Sequence, residues 1–91
     1  MNAEAPSDSA ALAHEVDANF EAFEQLLGSI LVEHRYRFAL MRRRGIVAFF
    51  EQPGEAYRAG LSRFPDGLFS IQEVDDQPVN LGIYSCFLSH V

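Results

Sequence analysis

The residues able to do chemistry are few and scattered. Three histidines, His14, His34 and His90, and one cysteine, Cys86, are the soft donors of the chain. A metal site needs such donors paired at short spacing, so that one element delivers two of them to the same ion. Cys86 and His90 stand four residues apart and would supply at most half of a site, completed by a second chain; a small buried cysteine is the simpler reading. Glu73, Asp75 and Asp76 could hold a hard cation through oxygen, or form a solvated acidic loop. Ser62, Ser70, Ser85 and Ser89 sit in no nucleophile elbow, and no glycine-rich phosphate loop occurs. Asp66-Gly67 lacks the hydroxyl residue of an aspartic protease half-site and reads as a turn. No catalytic, cofactor-binding or metal residue is therefore assigned, and the chain reads as non-enzymatic.

Arg42-Arg43-Arg44 is the densest charge in the chain. Such a run can grip phosphates, meet an acidic protein surface, or simply solvate a turn, with Arg35 and Arg37 facing acids of the preceding helix. Charge is sorted by segment. Residues 1–34 hold seven acids and no Arg or Lys, residues 35–63 hold all seven arginines and two acids, and residues 64–91 hold four acids and no base. With a net charge of −6, the flanking acids would repel a nucleic-acid backbone, which argues against a general nucleic-acid binder. The acids Glu15, Asp17, Glu21 and Glu24 are either a solvated helix face or a surface that imitates nucleic acid and blocks a basic groove on another protein.

These residues need elements to place them. Leu12, Val16, Phe20, Phe23, Leu27, Ile30 and His34 recur at spacings of three and four, which predicts one long amphipathic helix over about residues 9–33. Its apolar face carries His34, expected as a core or boundary histidine. Residues 1–8 are small and polar with a proline and are expected to be a disordered leader. Tyr36 to Arg42 alternates with period two, Arg43-Arg44-Gly45 offers a polar tip whose glycine can take φ > 0, and Ile46 to Glu51 is a β-branched and aromatic return strand. Pro53 suits the first turn of a second helix over 53–63, in which Gly60 allows close backbone approach. Leu68 to Val74 is a third strand with Phe69 and Ile71 inward. The tail from Asp75 to Val91 is apolar, with a short fourth strand near 83–88, and should dock on the domain or on a partner through residues such as Tyr84 and Phe87.

The fold class is therefore α+β: long helix, hairpin, second helix, third strand and apolar tail, with a small, mostly antiparallel sheet and the helices on one of its faces. Residues 9–91 make one domain. The other sheet face, including Ala39 and Met41, is too apolar to stay bare. The single cysteine, the absence of a signal-peptide pattern at the N-terminus and the lack of an apolar run of about 20 residues point to a cytoplasmic chain with no membrane partner.

The run from Tyr36 to Phe50, with Glu55-Ala-Tyr-Arg-Ala-Gly, Arg63-Phe and Phe69-Ser-Ile-Gln-Glu-Val, resembles the DUF5678-like family of short bacterial proteins of unknown function. The resemblance covers about residues 30–85. It implies a glycine-tipped hairpin with a phenylalanine-rich return strand, then a helix with a late glycine and a closing strand. Gln52 stands where the family commonly has a Ser or Thr helix cap, so that cap should be weak. The resemblance carries no activity and no catalytic residues; it suggests an aspartic-protease-like neighbour as partner.

Two functions follow as expectations. The first is a non-enzymatic interaction or accessory domain that associates with itself, as a homodimer, or with a protein partner. The alternative is a small acidic inhibitor of a basic surface. The candidate partner-binding residues are Arg42, Arg43, Arg44, Glu21, Glu24, Tyr84 and Phe87.

Overall fold

The apolar stripe of the N-terminal segment does form a helix, α1 (Glu4–His34). The computed structural model describes residues 4–78, with side chains from Ala10. α1 begins inside the stretch assigned to a leader. The physical reason is that the first turn of a helix has no intrahelical acceptors for its N–H groups, so Pro6 there removes no hydrogen bond. Val16, Ala22 and Phe23 are buried, while Val32 is 87% exposed, so the helix has one core face.

The hairpin consists of β1 (Phe38–Arg42) and β2 (Gly45–Phe50). After it come α2 (Pro53–Arg63) and β3 (Ser70–Glu73). The sheet order is β2-β1-β3, antiparallel throughout. As expected, Gln52 supplies no side-chain cap to α2, and Pro53 occupies its first turn. β1 starts two residues later than the alternation suggested, because Tyr36 has φ 71° and breaks the extended run. Even so, the Tyr36 and Val74 N–H groups donate to Val74 O and Arg37 O, at 2.7 and 2.9 Å, and prolong the pairing of β1 with β3.

The expectation that both helices share one sheet face is corrected. Leu40, Ile71 and Phe69 pack with Ala56 of α2, and Phe38, Val47 and Phe50 join them. Ala39, Met41 and Val74 pack with Phe23 of α1, joined by Ile46 and Phe49. Alternate residues of β1 thus face different helices, and the sheet lies between α1 and α2. Strand parity explains why: the two faces of β1 are almost equally apolar, so each needs its own cover. The face judged too apolar to stay bare is covered by α1. A register shift between Leu40 and Met41 leaves Val47 as the extra residue of a bulge, which lets Ile46 and Phe49 share the α1 face although they are three apart. Each fully buried large side chain, such as Phe23, Leu40, Met41 or Phe69, contributes about 1.5–3 kcal/mol.

The element order and the α+β class agree with the sequence reading. Among the described residues no helix is long and apolar enough to cross a membrane. The proposed fourth strand near 83–88, Tyr84, Phe87, Cys86 and His90 lie outside the described residues.

Candidate protein-interaction site at the hairpin tip

Arg42 pairs with Gly45, so the connection between β1 and β2 is the two residues Arg43 and Arg44. Both have positive φ, 51° and 66°. That is the backbone of a type I′ turn, which usually takes Asn-Gly because side chains clash there. Each non-glycine residue in this region costs about 1–2 kcal/mol. Gly45, expected to supply the positive φ, lies in β2 instead. A two-residue loop that closes on Gly45 leaves the arginines at its centre.

α1 holds this turn in place. The Arg43 N–H donates to Glu15 Oε2 at 2.7 Å, and the Arg44 N–H donates to Asn19 Oδ1 at 2.6 Å. Glu15 and Asn19 are four apart and so lie on the same side of the helix, one turn from each other. Asn19 is fully buried. Its Nδ2 also donates to Ser70 Oγ at 3.0 Å, to Glu15 Oε2 at 3.1 Å and to Met41 O at 3.3 Å. One amide thus joins α1, β1, β3 and the turn.

The three tip arginines have different fates. Arg42 donates to both carboxylate oxygens of Asp66, at 2.7 and 3.1 Å, and to Leu68 O at 2.9 Å, and lies 4.7 Å from the centre of the Phe64 ring. The hydrogen bond from Arg42, then that from the Leu68 N–H, holds the Asp66 carboxyl below its ordinary pKa; the same bond to Asp66 raises Arg42. Arg44 donates to Glu21 Oε1 at 3.0 Å and to Ala18 O at 3.2 Å. Arg43 is exposed, and among the described residues no side chain pairs with its guanidinium. Two arginines are tied to their own chain and the third projects.

An apolar groove of about 330 Å³ opens beside the tip, between Leu12 of α1, Tyr57 and Leu61 of α2 and the loop carrying Asp66, Leu68 and Phe69. It exists because α1 outreaches the sheet: 31 residues span about 46 Å, whereas a five-residue strand spans about 17 Å. On the other side a shallow depression is lined by His14, Asp17, Phe20, Glu21, Glu24 and Arg44. The acidic helix and the arginine hairpin, read from sequence as separate surfaces, therefore abut, and Glu21 is an internal partner of Arg44.

The structure also places other residues named from the sequence. Arg35 and Arg37 do not face acids of α1. Arg35 pairs with Asp76, and Arg37 with Glu51 at 3.0 Å, because both follow the helix and turn toward the neighbouring strand ends. Asp66-Gly67 is a turn, with Gly67 at φ 76° and its N–H donating to Phe64 O at 2.9 Å. His34 is a boundary residue stacked on Phe49, with ring centres 3.7 Å apart. Among the described residues no three His, Cys, Asp or Glu side chains cluster to hold a metal. Sequence reasoning missed Asn19, although the signal was present. Asn19 falls three after Val16 and four before Phe23, inside the apolar stripe, where a polar side chain must find buried partners. No family model, no curated protein and no solved structure matches the chain.

Proposed function

We propose that this chain is a non-enzymatic protein-interaction module, cytoplasmic, that presents its arginine-tipped hairpin to an acidic surface of a partner. The observation carrying this reading is the turn: two arginines occupy both positive-φ positions and are fixed by side chains of α1. An Asn-Gly turn would close the same hairpin without that cost. Backbone strain maintained by surrounding structure concentrates at functional positions. Here it holds the backbone beneath the exposed Arg43 guanidinium, which forms no ion pair among the described residues and is a group suited to two-pronged contact with carboxylates. The acidic-inhibitor reading has less support, since Glu21 and Glu15 are engaged with the hairpin. Candidate partners are a second copy of the chain and, from the family resemblance, an aspartic-protease-like neighbour.

The test is affinity purification of the tagged chain from its native host, alongside Arg43→Glu, with light scattering on the purified protein to read self-association. Arg43→Glu should keep the circular dichroism spectrum and lose the partner or the dimer. Retention of the same partner and oligomeric state by Arg43→Glu would remove the tip from the account.

A further inference from the structure

We infer that the outer edge of β2 pairs with the β2 edge of a second copy of this chain, antiparallel about a two-fold axis, so that two three-stranded sheets join into one. This goes beyond the tip reading and does not rest on Arg43. Among the described residues β2 is an outer strand of the sheet. Its residues, Gly45–Phe50, include no charge and no proline, and all keep part of their surface exposed. Edge strands ordinarily carry a charge or a proline, because a bare row of N–H and C=O groups is a template for another strand.

Backbone direction sets the register. Arg42 and Gly45 flank a two-residue turn and so form a hydrogen-bonded pair. Alternation along β1 then turns the N–H and C=O groups of Leu40 and Phe38 toward β2, and those of Met41 and Ala39 toward β3. The Arg37 carbonyl, which accepts from the Val74 N–H at 2.9 Å, faces the β3 side as this alternation requires. Opposite Met41 and Ala39 stand Ile46 and Phe49, whose N–H and C=O groups therefore point away from the sheet. A bulge usually spoils an edge as a template. This one gives Ile46 and Phe49 the same face and the same outward sense.

About an axis between Val47 and Ala48, Ile46 of each copy faces the partner's Phe49, and the two residues exchange both backbone hydrogen bonds. A one-residue slip would set each against a residue of the other face. The same register places Arg44 opposite the partner's Glu51 at both ends of the paired strands. Charge thus names a second copy as the occupant. Within one chain Arg44 pairs with Glu21, and Arg37 with Glu51. In the dimer Glu21, Arg44, the partner's Glu51 and the partner's Arg37 alternate in sign. The Arg44 and Glu51 side chains are 47% and 70% exposed, which leaves room for the second contact. The two arginine tips lie at opposite ends of the paired strands, and both stay open to another partner.

Sedimentation equilibrium of the full chain should show a monomer–dimer equilibrium; a chain monomeric up to about 1 mM overturns the inference. Arg44→Glu and Glu51→Arg, each checked for folding by circular dichroism, should each weaken the dimer about tenfold, because like charges then meet at both ends. An equimolar mixture of the two variants should recover the dimer, since opposite charges meet again at both ends. Arg44 and Glu51 lie about 20 Å apart along one strand, so mixing repairs no contact within a chain. A mixture no tighter than its components, or a dimer that neither substitution weakens, refutes the edge pairing. In the wild-type chain, which needs no variant to fold, the Ile46 and Phe49 amides should exchange hydrogen slowly when concentrated and faster on dilution; exchange independent of concentration refutes it too. A dimer abolished by Arg43→Glu and untouched by the other two substitutions would move self-association to the tip, overturning the edge and leaving the interaction module standing.

Discussion

Replacing either of two helical glycines by alanine should have opposite effects. In a helix interior the change ordinarily stabilises by about 0.8–1.0 kcal/mol, because glycine loses more backbone freedom on folding. At Gly28 nothing lies within 4 Å of the added methyl, so Gly28→Ala should give most of that gain, about 0.5–1 kcal/mol. At Gly60 the methyl would meet the Phe69 ring at 2.5, 2.7 and 2.7 Å, far inside ordinary contact. Phe69 is 1% exposed and touches Tyr57 and Phe64, so the ring cannot swing aside without disturbing its cluster. Overpacking of a filled core costs about 1–3 kcal/mol, and the opposing gain leaves a net loss of up to about 2 kcal/mol. Urea denaturation followed by circular dichroism reads both variants, and a loss of 1 kcal/mol lowers Tm by roughly 4–8 °C in a domain of this size. A Gly60→Ala protein as stable as Gly28→Ala would refute the close approach of α2 to Phe69.

Asn19→Ala removes the amide that serves the turn and leaves Ser70 Oγ and Met41 O without it, which should cost about 2–4 kcal/mol from two or so buried groups left unpaired; a midpoint within about 0.5 kcal/mol of wild type would contradict its role. His34→Phe keeps the stack on Phe49 and deletes the buried Nδ1 that has no hydrogen-bond partner among the described residues, so it should stabilise by about 1 kcal/mol, measured in the same urea titrations. For Asp66 the folded pKa is depressed by Arg42, so its contribution is present above the unfolded value near 4 and is lost as pH falls through the lower folded value. Asp66→Asn should therefore flatten the acid limb of stability against pH below about pH 4, and an unchanged limb would assign acid unfolding to other carboxylates.

Most of the element order could be read from periodicity, because α1, β1 and α2 each bury a face whose repeat differs from random. Gly60 was legible too: a glycine amid Ala56, Tyr57, Leu61 and Phe64 implied a close neighbour, and Phe69 is that neighbour. Placement of the helices on opposite sheet faces was not legible. It depends on a comparison between two nearly equal apolar faces of β1 and on a bulge at Val47 that periodicity does not display. The turn was misread for a related reason. Local propensity favours positive φ at Gly45, and the bonds that hold Arg43 and Arg44 there come from residues 28 and 25 positions away. At the site, Arg43 and Glu21 are both exposed, yet which tip arginines are paired among the described residues is decided by Asp66 and Glu21, partners that no spacing rule connects to them.

The turn held by α1 also says something about the order of folding events. An Asn-Gly hairpin can close early on its own and seed the sheet around it. This hairpin closes over two unfavourable residues and recovers the cost only when Glu15 and Asn19 arrive from the far end of the segment, so it cannot act as a nucleus. The tip should be among the last parts to form. In stopped-flow chevrons, Asn19→Ala should then act mainly by accelerating unfolding, with little change in the refolding arm. Changing Arg43 and Arg44 to Asn and Gly relieves strain in that same late-forming part, so it should slow unfolding by about five- to thirtyfold, the equivalent of about 1–2 kcal/mol, and leave the refolding arm little changed.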